Sequence, residues 1–304
     1  MSSELTNQDR CYIGRFAPSP TGPLHFGSLV AAVASFLDAK ANNGLWLMRM
    51  EDLDPRREPK GAAEKILDQL TKLGLEWDGE LLYQSTRLDD YDKILQQLAK
   101  KELCYECDCT RPAIKAMGSI YNGQCRKRIS KPGSDYAIRL RTENGTIEFN
   151  DLVQGNYRQN LETEVGDFVI VRKDKLFAYQ LAVVADDALQ NITHIIRGND
   201  LIDSTPRQIY LQQLLNYKTP TYGHIPVIVN AKGQKLSKQH FATPIDTEHG
   251  PMLIHQAMKF LGLSPPTTIQ QATVKEQLAW GIAVWDIQAV PKLANIPESS
   301  LKAE

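Results

Sequence analysis

Residues 15–29, RFAPSPTGPLHFGSL, place several groups that can do chemistry in a turn between two apolar runs. Prolines stiffen such a turn, and glycines let the backbone approach a ligand closely. His25 stands at the entrance of a predicted helix, whose first backbone N–H groups suit phosphate. A histidine there can donate a hydrogen bond to a phosphate oxygen as charge develops. The stretch therefore indicates either a phosphate-binding turn or a rigid turn with a capping histidine.

A second, basic loop, KLSKQ at residues 235–239, follows the predicted strand PVIVN. Ligands of open parallel sheets bind beyond the carboxyl ends of strands, so both loops stand where a ligand binds. Lys235 and Lys238 are the cations that this loop offers to phosphate. The Walker A pattern, G-x-x-x-x-G-K-[ST], is absent, so neither loop is of that type.

Four of the five cysteines fall in one short segment, at Cys104, Cys107, Cys109 and Cys125. Tetrahedral zinc with thiolate ligands closes small modules that lack a core of their own. Chance free thiols are the alternative. From the residues alone, the four cysteines form the simplest ligand set. No neighbouring histidine or glutamate is set up to activate a zinc-bound water, so such a metal would be structural.

A basic patch is predicted within the same segment, because no acidic residue stands between Thr110 and Gly133. A basic face on a zinc module could clamp the backbone phosphates of a tRNA. A solvated surface is the alternative interpretation. The basic residues are Arg111, Lys115, Arg126, Lys127, Arg128 and Lys131.

The elements that would position these groups begin with a strand at 11–16 and a helix from Ser28 to Asn42, with apolar residues at helical spacing. A second apolar strand at 44–52 ends in two acids, and amphipathic helices are predicted at 60–74 and 88–101. This β-turn-α-β-α order predicts an α/β fold with a doubly wound parallel sheet.

The middle of the chain changes character. Short strand-like stretches between residues 135 and 172 predict an inserted, more antiparallel region. A helix at 179–189 and buried strands then return, and residues 251–302 are predicted to be helical. We expect the catalytic domain to have two halves, at 1–100 and 176–245. An insertion at 101–175 separates them, and a short helical C-terminal region follows at 246–304.

Composition narrows the class of protein. The chain has 304 residues with a formal net charge of -1, 42% hydrophobic and 23% charged residues, which excludes a bulk polycation. No apolar run approaches the roughly 20 residues of a membrane span, and the N-terminus lacks the apolar region of a signal peptide. We expect a cytoplasmic enzyme without a membrane partner and without disulfides.

Two pairs of motifs resemble a known family. HFGS resembles the HIGH signature of class I aminoacyl-tRNA synthetases, and KLSKQ resembles their KMSKS loop. The longer stretches RFAPSPTGPLHFG and RGNDLIDSTPRQIYL are similar to the glutamyl branch of that family. The resemblance covers about three quarters of the chain, roughly residues 11–245. It implies a Rossmann-type catalytic core with an inserted subdomain that contains zinc and binds the acceptor.

The resemblance also implies an acceptor. Full glutamyl-tRNA synthetases continue into a long anticodon-binding region, whereas about 60 residues follow KLSKQ here. The chain therefore resembles the truncated paralogues that attach glutamate to the queuosine base of tRNA(Asp), and a monomer is expected. A short synthetase that charges the 3′ end of tRNA(Glu) is one alternative. A non-catalytic RNA-binding paralogue is another, and the intact His25, Glu51, Lys235 and Lys238 argue against it.

The family implies a mechanism in which glutamate attacks the α-phosphate of ATP without any need for tRNA, and the adenylate then passes to a hydroxyl. His25, Lys235 and Lys238 are the implied catalytic residues, with Mg2+ accompanying ATP. The implied ATP-binding residues are His25, Gly27, Ser28 and Lys238. The implied glutamate-binding residues are Arg15, Phe16, Ala17, Pro18, Ser19, Glu51, Tyr179 and Arg197. Two arginines can grip carboxylates, and Glu51 can hold the ammonium.

The family pattern C-x-C followed by Y-x-x-x-C implies a particular zinc ligand set. It falls on Cys107, Cys109, Tyr121 and Cys125. Cys104 stays outside that set, although Cys104 and Cys107 also form a C-x-x-C pair. The choice between Cys104 and Tyr121 as the fourth ligand is therefore open at the level of the sequence.

Overall fold

The structure is a computed structural model. It describes residues 12–118, 120–128, 132–133, 135–143, 145–230, 233–234 and 243–301. Lys235, Lys238 and Lys131 lie outside the described residues. Within the described ranges, no helix is both long enough and apolar enough to cross a membrane.

The strands and helices follow one another in a mixed α/β order. The strands are β1 (Ile13–Phe16), β2 (Leu45–Met50), β3 (Leu82–Tyr83), β4 (Cys104–Cys107), β5 (Ala137–Leu140), β6 (Thr146–Asp151), β7 (Gly155–Asn160), β8 (Phe168–Val171), β9 (His194–Gly198), β10 (Thr221–Ile225), β11 (Val227–Val229) and β12 (Asn295–Pro297). The helices are α1 (Phe26–Ala41), α2 (Ala62–Lys72), α3 (Leu88–Lys100), α4 (Arg111–Ala116), α5 (Leu161–Glu164), α6 (Tyr179–Leu189), α7 (Thr205–Leu215), α8 (Gly250–Phe260), α9 (Thr267–Gln270) and α10 (Val274–Val284).

The first half of the fold is a parallel sheet, as the sequence predicts. Strands β1, β2 and β3 pair in that order, all parallel. Every residue of β1 and β2 is buried, which is the pattern of central strands covered on both faces. Helix α1 packs on β1, and its Leu29, Val33 and Leu37, which lie at the predicted helical spacing, are fully buried.

A second parallel pair, β9 and β10, lies beside β1. The backbone N–H of Thr193 donates to the carbonyl of Ile13 at 2.9 Å, and the N–H of Ile13 donates to Oγ1 of Thr193 at 2.8 Å. The strands therefore run β3, β2, β1, β9, β10 across the molecule. Strand order reverses between β1 and β9, and in open α/β sheets such a reversal leaves a ligand-binding crevice at the carboxyl ends of the strands.

The region between the two parallel units is antiparallel, which confirms the prediction of an antiparallel insertion. Strand β5 pairs antiparallel with β4 and β8, and β6 pairs antiparallel with β7. Leu140, Phe168 and Ile170 of this region share a buried apolar cluster with residues of α3, α6 and α7. The insertion is thus packed against the catalytic half rather than isolated from it.

The C-terminal helices α8 and α10 pack against α1 and share its apolar core. Trp285, just after α10, donates its indole N–H to Oδ1 of Asp38 in α1 at 2.7 Å. The prediction that 251–302 consists of helices with short joints is wrong at β12, which pairs in parallel with β11. A three-residue strand is too short to show a period, so its pairing partner rather than its own sequence determines it.

Candidate active site

A cleft of about 710 Å³ opens at the carboxyl ends of β1, β9 and β10, beside the first residues of β11 and of α1. It lies at the reversal of strand order, because residues at the carboxyl ends of both β1 and β9 line it. The sequence-predicted residues that line it are Arg15, Phe16, Ala17, Pro18, Ser19, His25, Gly27, Ser28, Glu51, Tyr179 and Arg197. All the predicted glutamate-binding residues and the described part of the predicted ATP-binding set therefore meet in one place.

His25 caps the N-terminus of α1. Its Nδ1 accepts the backbone N–H of Ser28 at 3.2 Å, and its Nε2 lies 2.9 Å from Oγ of Ser28. Because Nδ1 accepts, the neutral ring carries its proton on Nε2. The histidine therefore caps the helix, as one interpretation of the sequence expected. Its Nε2–H points toward a hydroxyl at the helix N-terminus, the end of a helix that suits phosphate. A phosphate oxygen could take the place of that hydroxyl.

A glutamine of α2 joins this turn to the chain that follows KLSKQ. Gln69 accepts the backbone N–H of Leu24 at 2.8 Å and donates to the carbonyl of Ile245 at 3.3 Å. Ile245 in turn donates its N–H to the carbonyl of Leu24 at 3.0 Å, and Pro244 forms a bridge with His25. The first described residues after the basic loop are thereby fixed beside the histidine.

Arg15 is held by a buried ion pair. Its Nε lies 3.3 Å from Oδ1 of Asp187, and Nη2 of Arg49 lies 2.5 Å from the same oxygen. All three side chains are at most 4% exposed. Burial alone would raise the pKa of Asp187, but the guanidinium groups of Arg49 and Arg15 hold it below its usual range. Two cations share this carboxylate, and of the two, Arg15 lines the cleft.

Glu51 is half-buried at the end of β2, and its backbone N–H donates to the carbonyl of Pro18 at 3.0 Å. Burial raises the pKa of Glu51 to about 7, although Arg49 and Arg15 act in the opposite direction. An incoming ammonium group would favour the ionised form of this carboxyl. The surroundings of Glu51 therefore suit a carboxyl group that pairs with the amino group of an amino acid, and not a carboxyl group on the exposed surface.

Arg197 at the end of β9 is only 5% exposed and is oriented by neutral groups. It donates from Nη1 to the hydroxyl of Tyr179 at 3.3 Å and from Nη2 to Oγ1 of Thr205 at 2.7 Å. Its Nε donates to Nε2 of His224 at 3.0 Å. Tyr179 is the first residue of α6 and lines the cleft, so its hydroxyl and the arginine fork stand together there.

These groups form an arrangement suited to an acidic amino acid. Arg15 and Arg197, from two different strands, can each pair with a carboxylate. Glu51, once ionised, can receive an ammonium group. The helix N-terminus and His25 provide an adjoining place for phosphate. The cleft can thus bind a dicarboxylic amino acid next to a nucleotide.

A second candidate site is the cysteine module. The sulfur atoms of Cys107, Cys109 and Cys125 all lie within 4.8 Å of one another, and those of Cys109 and Cys125 are 3.6 Å apart. The hydroxyl of Tyr121 is 3.9 Å from Sγ of Cys109 and accepts the N–H of Cys125 at 2.9 Å. Three thiols and a phenol around one point could hold a thiophilic metal.

Cys104 lies apart from these thiols. It stands three positions before Cys107 on β4, so the two side chains leave opposite faces of the strand. Cys104 packs against the apolar cluster that includes α3 and α6, and burial raises the pKa of its thiol to about 11. Among the described residues, the group that could hold a metal ion consists of the other three cysteines of the segment.

The predicted basic patch is smaller than the sequence implied. Arg126 lies 2.5 Å from Oδ1 of the fully buried Asp167, and Arg128 lies 2.6 Å from Oδ2 of Asp108. Arg126 therefore anchors the module to the fold instead of facing solvent. Arg111, Lys115 and Lys127 are exposed.

Sequence reasoning missed the residues that support the site. Arg49 interrupts the apolar strand LWLMRM, and Asp186 and Asp187 interrupt the apolar helix YQLAVVADDAL. A charge inside an otherwise buried element needs a partner, so these interruptions were the available signal. Gln69 and His224 gave no comparable signal, since neither is a charged residue inside a uniformly apolar element.

Comparison with known proteins agrees with this geometry. Residues 13–277 match a family described as tRNA synthetases class I (E and Q), catalytic domain. The glutamyl-Q tRNA(Asp) synthetases of Pseudomonas aeruginosa and Pseudomonas fluorescens are 51% and 50% identical over 290 residues. These alignments cover 95% of this chain and 99% and 97% of the respective relatives.

Two solved structures are similar in fold over nearly the whole chain. A glutamate tRNA ligase from Elizabethkingia meningosepticum, in complex with its amino acid, has a TM-score of 0.77 at 27% identity. Glutamate-tRNA synthetase from Elizabethkingia anophelis also has a TM-score of 0.77, at 28% identity. The alignments cover 94% and 96% of this chain but only 66% and 69% of the solved chains.

Proposed function

Because the chain belongs to the class I tRNA synthetases of the E and Q type, we propose that it activates L-glutamate with ATP and transfers it to the queuosine base of tRNA(Asp). One observation supports the first step above all others. Arg15, Glu51 and Arg197 line one cleft with the helix N-terminus that His25 caps. An acidic amino acid and a nucleotide phosphate would then be neighbours.

In the activation step, a carboxylate oxygen of glutamate attacks the α-phosphorus of ATP. A new P–O bond forms, the bond to the bridging oxygen breaks, and pyrophosphate leaves with the electron pair. No side chain serves as a nucleophile, so catalysis consists of positioning and electrostatic stabilisation. The Nε2–H of His25 can donate to a phosphate oxygen, and Lys235 and Lys238 would add positive charge. Mg2+ bound with ATP supplies further neutralisation of the phosphates.

In the transfer step, a hydroxyl of the queuosine ring attacks the carbonyl carbon of the adenylate. The ester bond forms, AMP leaves, and the hydroxyl proton is released to solvent or to the departing phosphate. The name that the Pseudomonas relatives share supports this acceptor. An unstacked base in a loop is also the usual target of sequence-specific RNA recognition.

We propose that the cysteine module holds one structural zinc through Cys107, Cys109, Tyr121 and Cys125. The clustered thiols and the nearby phenol support this ligand set, and the distant position of Cys104 argues against the alternative. Zinc would close a module whose own apolar core is small. The exposed Arg111, Lys115 and Lys127 would then face the phosphates of the tRNA.

Two measurements test the proposed function. Pyrophosphate exchange into ATP should depend on L-glutamate and proceed without tRNA. Labelled glutamate should then pass to tRNA(Asp) that contains queuosine, and not to tRNA(Asp) without it or to tRNA(Glu). Equal labelling of both forms of tRNA(Asp), or efficient charging of tRNA(Glu), would instead favour a short glutamyl-tRNA synthetase.

A further inference from the structure

Behind Arg197, on the side away from the cleft, a buried row of polar groups ends at a carboxylate. His224 is fully buried, and its Nδ1 lies 2.5 Å from Oδ2 of Asp151. Oδ1 of Asp151 accepts three backbone N–H groups, from Val153, Gln154 and His224, at 2.9 to 3.0 Å. The carboxylate at the end of β6 is thus fixed in place and satisfied.

The hydrogen bonds of this row admit one arrangement of protons. The Nε of Arg197 can only donate, so Nε2 of His224 must accept. The imidazole proton therefore stands on Nδ1, where it is donated to Asp151. Burial lowers the pKa of His224 to about 4. The charged groups around the ring are Arg197, Asp151 and Asp200, and its other neighbours include the rings of Phe149 and Tyr222.

We propose that His224 is a positioning residue for glutamate, which fixes the Nε edge of Arg197 and so leaves Nη1 directed toward the cleft for a carboxylate. The contacts distinguish the two edges. Nη1 bonds to Tyr179, which lines the cleft, whereas Nε bonds to His224, which does not. This inference rests on the proposed activation of glutamate.

A neutral support has a physical advantage over a charged one. A carboxylate in the place of His224 would orient the guanidinium equally well, but it would also neutralise part of its charge. It would then compete with the carboxylate of the substrate for the same cation. Asp151 orients the imidazole, and the imidazole orients Arg197. The ring also separates the negative charge of Asp151 from the guanidinium group.

Two amide substitutions separate orientation from mere packing. In His224→Asn the amide can still donate to Asp151 but ends short of Arg197. In His224→Gln an amide oxygen reaches the position of Nε2 and can accept from Arg197. We expect the KM for glutamate in pyrophosphate exchange to rise about tenfold or more in His224→Asn, with the KM for ATP unchanged. The His224→Gln variant should recover most of that loss.

The outcomes separate this inference from the proposed function. A purely structural role for His224 would reduce the amount of active enzyme, and hence the apparent kcat, without a selective change in the KM for glutamate. If His224→Asn does not fold, Asp151→Asn gives the same measurement, because it weakens the bond that fixes the imidazole proton. An unchanged KM for glutamate in the folded variants overturns the inference. Wild-type protein that shows no glutamate-dependent exchange overturns the proposed function instead.

Discussion

The cleft and the cysteine module are held together by different means. In the cleft, Arg15 and Arg197 extend from strands of a sheet whose core is continuous with α1 and the C-terminal helices. In the module, the buried cluster consists of Cys107, Tyr121 and Cys125, with only a few partly buried neighbours. The cleft therefore owes its geometry to the fold itself, whereas the module has little apolar core of its own to hold it together.

A buried carboxylate is one of the groups that join the module to the rest of the fold. Asp167 is fully buried and receives Arg126, the hydroxyl of Tyr105 and the backbone N–H of Thr142. These bonds fix one side of the module to the end of the insertion. A change inside the module should accordingly leave the cleft intact, and four predictions test this separation in order of decreasing effect on the cleft.

The largest effect is expected for Asp187→Asn. It removes the carboxylate that two buried guanidinium groups share, and breaking such a pair typically costs about 3–5 kcal/mol of stability. Urea unfolding measures the loss. The matched control is Asp68→Asn, which removes one partner of the exposed pair with Lys72 and should change stability little. Similar losses in both variants would mean that burial of the charges is not what matters.

Lys238→Ala should slow adenylate formation and spare glutamate binding. Loss of one donor from a preorganised site for developing charge costs about 2.7–4 kcal/mol of barrier, or roughly 100- to 1000-fold in rate. Pyrophosphate exchange and calorimetric titration with glutamate provide the two readouts. Lys232→Ala is the control from the same stretch of chain. Near-normal exchange by the Lys238 variant would remove this lysine from the mechanism.

Glutamate binding should strengthen as the pH rises through about 7. The pKa of Glu51 is raised to about 7, so its carboxylate becomes available to the ammonium group only above that value. Between about pH 6 and about pH 8 the ionised fraction changes by roughly tenfold, and the KM for glutamate should fall accordingly. Glu51→Gln should have a weaker affinity and a flat profile over this range. A slope that persists in this variant would assign the titration to another group.

The smallest effect on the cleft is expected for Cys125→Ser. The wild-type protein should contain about one zinc per chain, which metal analysis would measure. Cys125→Ser should lose it and Cys104→Ser should keep it, since Cys104 lies outside the cluster. Adenylate formation should be normal in both variants, while transfer to tRNA should fall only in the first. Loss of adenylate formation in Cys125→Ser would contradict the separation of the two regions.

Much of the fold could be predicted because its elements have strong local patterns. The spacing of apolar residues identified α1, α2, α3 and α6, and β1 and β2 are nearly uniform apolar runs. Helix α7 escaped prediction because Gln208 and Gln212 are buried among its apolar residues, which removes the usual stripe. Strand β10 was also missed.

The site was predictable only in part. Residues that would touch substrate stand in motifs, so a resemblance could identify them. Their supports are distant along the chain: Arg15 meets a carboxylate on α6, and Arg197 meets an imidazole on β10. Such pairs depend on the sheet bringing β1, β9 and β10 together, which no local pattern specifies. The charge balance of the basic segment likewise depended on partners outside it, as Asp167 shows.

The hydrogen bonds that Gln69 makes with Leu24 and Ile245 help to fix one end of the chain between β11 and Pro244. Val229 is paired with β12 at one end, and Pro244 is bridged to His25 at the other. Both ends are therefore fixed points of the fold, one in a strand pair and the other beside the residue that caps α1. Doubling the length of a loop costs only about 0.6 kcal/mol in closure entropy, so we expect the fold to tolerate an insertion between these two ends.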